Sequence, residues 1–451
     1  MASNIANISL NTAEALLPTA YSLQSVTLEN HAGRSVDINQ LVTDFSITES
    51  IYRPSLLLSL NIRDPINLME EFQLTGQEFI TVVVARKPYG SYEEQRITLK
   101  FIVTEYPLFG RVDNRLQVYT LKGVSPHAYI SELKKISRAF SGDVKDFIRQ
   151  VLVNDLGVNP AKILISGNST ALVKFIVPNL APLDAIHWAL RRAFDPSGSP
   201  FYFYQRFDGM IVLQNHADLA AQPSYKEYED AVFWRYNPFT ETAKDYEDIA
   251  KRIVSLISDV RLSKYASISQ GAYSSRSDYL DLGTKTLKSS TFNYSTEFSN
   301  MKWMDKYTVV SPSFVPSDSD DNNLSEFTNS RINYIPTNSL AFDIGQNYHA
   351  PTTDGVLNKQ HSYIENLDNI SHDVTVAGDF KLQSGTMVSL KLPPAIDPGT
   401  EILNSKITGS NTEKDNYFSG KYLVTSVMHK FSDKYFSEVK IKRDSLPFKL
   451  S

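Results

Sequence analysis

The chain has no cysteine, which excludes disulfides, thiolate metal centres and cysteine nucleophiles. It also lacks any run of about 18 apolar residues, the length an α-helix needs to cross a bilayer. The helical segments described below argue against a membrane-spanning barrel of strands. No signal peptide is expected, because MASNIANISLNTAEALLPTA has no basic segment leading into an apolar core. There is no basic excess either: the net charge is -5, so tight wrapping of nucleic acid is not expected. A mildly acidic chain can still surround DNA without adhering to it.

Signatures of chemistry are missing too. No GxxxxGK phosphate loop, HExxH or GxSxG occurs. The eight histidines are scattered. His361 and His372 flank an expected helix, too far apart to ligate a metal from adjacent turns. His187 reads as a solvent-edge or core histidine within a helix. A glycosidase needs two carboxyls across a bond, one of them in a dry pocket, and the adjacent Glu70 and Glu71 read instead as a solvated pair. Asp143 and Asp184 fall in first helical turns, where the helix terminus favours a carboxylate. Asn168 opens an N-x-T triplet, meaningful only in a glycosylating pathway. No catalytic residue, cofactor or metal is expected.

What is present is a long, well-mixed chain. Its 451 residues, 42% hydrophobic and 21% charged, predict a folded protein of roughly two to four domains. Its 24 Tyr and 24 Phe suit either subunit contacts or β-strands. Strand text fills residues 21–127: YSLQSVTL, LVTDFSITES, SLLLSLNI, EFITVVVARK, TLKFIVTEY and RLQVYTLKG. Leu56, Leu58, Leu60 and Ile62 share one strand face, and Leu57 breaks the alternation. Five or six antiparallel strands in this span predict a small barrel or sandwich. Helical stripes then appear. Val144, Phe147, Ile148, Val151 and Leu152 form one, which Gly157 is placed to end. A second helix starts at Pro182, and Asp208-Gly209 forms the turn of a hairpin. Near residues 310–355 the text turns rich in Ser, Asn, Asp and Pro and reads as a long insertion or surface loop. VLNKQHSYIENLDNI has helical spacing, and HDVTVAGD, TMVSLKLP, YLVTSVMHKF and FSEVKIKRD are further strands.

Residues 101–122 and 422–443 align without a gap. Val103-Thr104 meets Val424-Thr425, and Val118 meets Val439. Each is a strand–turn–strand unit, so the chain is expected to contain one barrel twice. The fold class is then mainly β with α+β insertions: two similar antiparallel barrels and a mixed middle domain. The expected divisions are an arm at 1–20, a first barrel at 21–127 and a middle domain at 128–225. A second barrel takes 226–300 with 371–451, around a loop-rich insertion with a connecting helix at 301–370. Leu58, Leu60, Val103, Val118, Val424 and Val439 are candidate barrel or interface positions. Lys100, Lys122 and Lys440 are candidate lumen charges, to be weighed against plain solvation.

The stretch SITESIYRPSLLLSLNIRDPINLMEEFQLTGQEFITVVV resembles the opening barrel of the central baseplate hub proteins of contractile-tailed bacteriophages. FSGDVKDFIRQVLVNDLG and APLDAIHWALRRAF resemble the helices of that family's intervening domain. SYIENLDNISHDVTVAGDFKLQSGTMVSLKLP resembles the element that precedes its final hairpin. Spread between residues 46 and 393, these stretches imply a resemblance that extends over about two thirds of the chain. The resemblance implies tail-tube-like barrels and a homotrimer whose paired barrels form a ring continuing the tail tube. It implies a central spike below, and a tail tube, tube-initiator or tape-measure protein above. Baseplate wedge proteins would lie outside, and DNA would pass without specific binding or any membrane contact. The location implied is the virion's tail baseplate, assembled in the host cytoplasm. The 310–355 stretch has no counterpart in the family pattern. A tail-associated cell-wall hydrolase and a receptor-binding tail protein are the alternative readings.

Overall fold

The computed structural model describes residues 18–86, 94–107, 109–113, 116–167, 172–191, 193–195, 197–230, 250–259, 264–311, 313–316, 321–337, 356–392, 415 and 417–450. Nearly all of the expected arm, and Asn168, lie outside them.

The first strands are β1 (Ser22–Glu29), β2 (Ser35–Asp37), β3 (Val42–Ser50), β4 (Leu57–Asp64), β5 (Phe79–Arg86), β6 (Gln95–Glu105), β7 (Phe109–Asp113) and β8 (Leu116–Val124). They lie in the order β2-β1-β5-β6-β8-β4-β3, with β7 beside β8. Alternation decides which side faces in: Leu58, Leu60 and Ile62 of β4 pack with Phe45, Ile47, Val82 and Phe101 in one core. Leu56 is buried just before the strand, and Leu57 on the other face is half-buried.

The middle of the chain holds β9 (Ala139–Asp143), α1 (Val144–Gln150), β10 (Ile163–Ile165), β11 (Leu172–Ile176), α2 (Pro182–Leu190), β12 (Phe201–Gln205) and β13 (Ile211–Asn215). Asp143 caps α1 by accepting from the Lys145 amide at 2.8 Å. A π-turn, Val151–Asp155, prolongs the helix, and Gly157 follows it with φ +67°. Phe147, Ile148, Val151 and Leu152 bury one stripe against Ile186 and Ala189 of α2. The turn between β12 and β13 places Gly209 at φ +82°, a left-handed conformation that favours glycine.

The last part comprises β14 (Glu227–Asp230), β15 (Arg252–Asp259), β16 (Ser274–Asp281), β17 (Thr286–Asn293), β18 (Ile332–Thr337), α3 (Val356–Leu367), β19 (Ile370–Ala377), β20 (Met387–Lys391), β21 (Gly420–Phe431) and β22 (Tyr435–Arg443). Six of these close a barrel: β14-β15-β19-β22-β21-β20, with β20 returning to β14. The strands β17, β16 and β18 form a separate sheet. Part of the presumed 310–355 loop is therefore a strand, β18, held parallel to β16.

The expectation of two barrels needs correction, because only the second closes. In the first, β3 does not return to β1. It pairs instead with β21, Phe45–Ser50 running against Ser426–Phe431. The first sheet is thus joined edge to edge onto the barrel, giving one sheet of 14 strands.

The internal repeat is nevertheless real in topology. The order β3-β4-β8-β6-β5 recurs as β15-β19-β22-β21-β20, in the same chain order. Irregularities recur as well. A bulge between Val42 and Asp44 matches one between Ile253 and Ser255, and a bulge at Thr104 matches one at Thr425. Each bulged threonine donates across the hairpin, Thr104 to the Lys122 carbonyl at 3.3 Å and Thr425 to the Lys440 carbonyl at 3.0 Å. Lys122 therefore corresponds to Lys440, and the first hairpin is longer by 443 − 440 = 3 residues than the gapless alignment allows. An odd offset exchanges strand faces. Val118, aligned by sequence with Val439, is 39% exposed, whereas Val439 is buried; its structural counterpart is Leu121, which is fully buried.

Candidate functional site

The distinctive construction is the seam between β3 and β21, where three parts of the chain meet. On β3, Phe45, Ile47 and Glu49 share the buried face by alternation. Glu49 thus carries a carboxyl into the interior. One oxygen accepts from the Ser384 amide at 2.7 Å, beside the barrel, and the other from the Phe207 amide at the middle hairpin's turn. The His429 ring lies 3.7 Å from the same carboxyl, and its Nδ1 meets the Tyr435 hydroxyl at 2.7 Å. Phe207 stacks on His429 at 4.0 Å between centroids, and Phe45 on Phe431 at 4.5 Å. The Ile51 amide and Ser50 hydroxyl both donate to the Thr425 carbonyl, at 2.9 and 3.1 Å.

Two further buried clamps flank this seam. His216 Nε2 sits 2.7 Å from Asp444 Oδ2, with both side chains fully buried, and Asp444 Oδ1 accepts from the Met304 amide at 3.2 Å. Asp379 joins Lys226 at 2.9 Å and Arg86 at 3.5 Å. Burial alone would raise its carboxyl, but Lys226 and Arg86 hold it below the usual range. These contacts tie the first sheet, the middle segment and the barrel into one body. Breaking one partner of such a buried pair is costly, because the other is left uncompensated.

The positions expected from the sequence are distributed as follows. Leu58, Leu60 and Val103 lie in the first core, and Val424 and Val439 in the barrel core. Val118 faces solvent beside β7. Lys100 lies 3.6 Å from Glu29 and 4.1 Å over the Phe79 ring. Lys122 pairs with Glu105 at 3.1 Å and Lys440 with Asp373 at 3.6 Å. All three lysines are roughly half exposed, so each pair contributes at most about 1 kcal/mol. Glu49, Asp444 and His216 were not singled out in the sequence. Only Glu49 carried a local signal, an acid continuing the apolar face of VTDFSITES.

The buried Glu49 and Asp444 carboxyls are engaged by the Phe207, Ser384 and Met304 amides and by His216. The barrel encloses a small apolar cavity lined by residues such as Tyr228, Val376, Leu390 and Val439. Among the described residues, no group of three or more His, Asp or Glu could hold a metal, and no helix is long and apolar enough to cross a membrane. His372 is fully buried between the Ser258 and Tyr422 hydroxyls, at 2.9 and 3.1 Å. Burial and the nearby Arg443 push its pKa down to about 4.

No protein family and no curated protein matches the sequence. Solved structures do. A prophage MuSo2 43 kDa tail protein from Shewanella oneidensis is similar with a TM-score of 0.50 and 11% identity, over 93% of this chain and 99% of that one. The tail protein from Neisseria meningitidis MC58 gives 0.49 and 11%, over 94% and 97%. Prophage tail protein gp18 from Listeria monocytogenes EGD-e gives 0.44 and 9%, over 94% and 95%. The Shewanella likeness shows a shared fold, so this chain has the fold of a prophage tail protein along nearly its whole length.

Proposed function

We propose that this chain is the structural hub of a phage baseplate, a homotrimeric ring that joins the tail tube to the central spike and surrounds the DNA passage. The observation that carries this reading is the seam. The first repeat's sheet runs on into the barrel of the second instead of closing on itself, which fits a unit of a larger ring of such repeats. Three chains would bring six repeats around the axis. The buried clamps fit a part that transmits load, since they resist sliding of the sheet against the middle segment.

In this reading the chain is not an enzyme. Its divisions are an arm (1–20), a first tube-like unit (21–127), a middle unit (128–225), a second tube-like unit (226–300 with 371–451) and an insertion (301–370). Its partners are the spike, the tail tube or tube-initiator protein, the tape-measure protein and the baseplate wedge proteins. DNA passes without specific binding, and Lys100, Lys122 and Lys440 are proposed to face that passage. The protein belongs to the virion's tail baseplate and is assembled in the host cytoplasm. Light scattering at several concentrations tests the ring, with the mass of three chains expected. A monomer at every concentration, with the spike present as well as without it, overturns the reading.

A further inference from the structure

The seam inside the chain uses half of each repeat and leaves the other half without a partner among the described strands. β20 pairs with β21 only as far as Leu423; beyond the bulge at Thr425, the same side of β21 takes β3. The corresponding part of the first repeat is the hairpin beyond the bulge at Thr104. There β5 pairs with β6 only as far as Ile102, and among the described strands β7 pairs only with β8. Its apolar residues are uncovered: Phe109 is 53% exposed and Val112 65%.

The counterpart of β3 is β15, through the shared bulge that matches Phe45 with Leu256. β15 meets β14 only at Arg252 and Ile253. From Leu256 to Ser258, no described strand lies along that edge. Val254 is 56% exposed and Ile257 67%. The chain therefore repeats a strand edge and a hairpin arm, joins one of each internally, and leaves one of each, β15 beyond Ile253 and β7, without a second described partner on that side.

We infer that the open β15 edge of one copy pairs antiparallel with the open β7 hairpin of the next, repeating between chains the β3–β21 seam within each chain. The inference rests on the ring reading and specifies its contact. The contact is head-to-tail: it joins two different surfaces, and such contacts form rings when the rotation closes. Pairing covers Val254 and Ile257 on one copy and Phe109 and Val112 on its neighbour, and removes two open sheet edges.

The absence of cysteine makes the test clean. Ile257→Cys and Val112→Cys are made singly and together in the full chain and treated with a short bismaleimide cross-linker. The double variant, and an equimolar mixture of the two single variants, are expected to give covalently linked chains, whereas each single variant alone gives none. Ile257→Glu is expected to lower the oligomer mass while leaving the circular dichroism spectrum unchanged. If the mass is that of a ring but the double variant does not cross-link, the contact is wrong and the ring stands. If Ile257→Cys cross-links to itself as well as the double variant does, the contact is two-fold and the inference fails. If the unmodified chain is a monomer throughout, with or without spike, the ring reading fails first.

Discussion

Removing the Glu49 carboxyl should cost more stability than any surface change of equal size. In Glu49→Ala, the Phe207 and Ser384 amides lose their acceptor inside the protein. Each buried donor left unsatisfied costs about 1–3 kcal/mol. The two together predict about 2–6 kcal/mol, before any cost of the cavity. Glu49→Gln keeps one acceptor oxygen but turns an NH2 group towards the other amide, so its loss should be about half as large. The assay is urea unfolding followed by tryptophan fluorescence and circular dichroism, with hydrogen exchange at the two amides. Both amides should be protected in the unmodified chain and exchange faster in Glu49→Ala. A loss of less than about 0.5 kcal/mol, the range of an ordinary surface substitution, would show that the seam is not held by this group.

Two further perturbations probe other parts of the argument. The folded pKa of His372 lies at about 4, below its ordinary 6.5, so the unfolded chain binds the extra proton between those values. Its contribution to stability is complete above pH 6.5 and is lost as pH falls towards 4, by about 3 kcal/mol. Urea midpoints measured from pH 7 to 4 should fall along this window. A slope that stays the same in His372→Gln would assign it to other groups. The three-residue offset between the repeats predicts opposite outcomes for two neighbours on β8. Leu121→Ala should cost about 2–5 kcal/mol as a core truncation, whereas Val118→Ala should stay within about 0.5 kcal/mol in the isolated chain. Equal losses in thermal unfolding would restore the gapless alignment.

Much of the architecture was legible because strands announce themselves by alternation and helices by their stripes. Leu58, Leu60 and Ile62 predicted the inner face of β4, and the stripe from Val144 to Leu152 predicted α1 with its continuation. The repeated Val-Thr pair marked two equivalent bulges, Thr104 and Thr425, before either had a structural meaning. The offset in the returning strand was hidden because extra residues in a hairpin leave the local pattern intact while exchanging its faces. The β3–β21 seam was hidden for a different reason. It joins Ser50 to Ser426 across 376 residues, and no local periodicity reports which distant edge a strand will choose. β18 was missed because its text, INYIPT, contains a proline inside polar surroundings, and it sits on the outer side of its sheet, where a proline is tolerated.

The failure of the first sheet to close fits the chain better than closure would. Six strands in the second repeat are enough to close a barrel, so strand number does not explain the difference. What differs is that β3 has a better-placed partner in β21 than in β1. Phe45 stacks on Phe431, Ser50 and Ile51 share the Thr425 carbonyl, and Glu49 gathers amides from two other segments. Closing β3 onto β1 would forfeit those contacts and free the distal half of β21. Joining β3 to β21 leaves the same need at β15, the counterpart of β3, which has no described partner on that edge beyond Ile253, and at β7. The exposed Ile257 and Phe109 stand where that need falls.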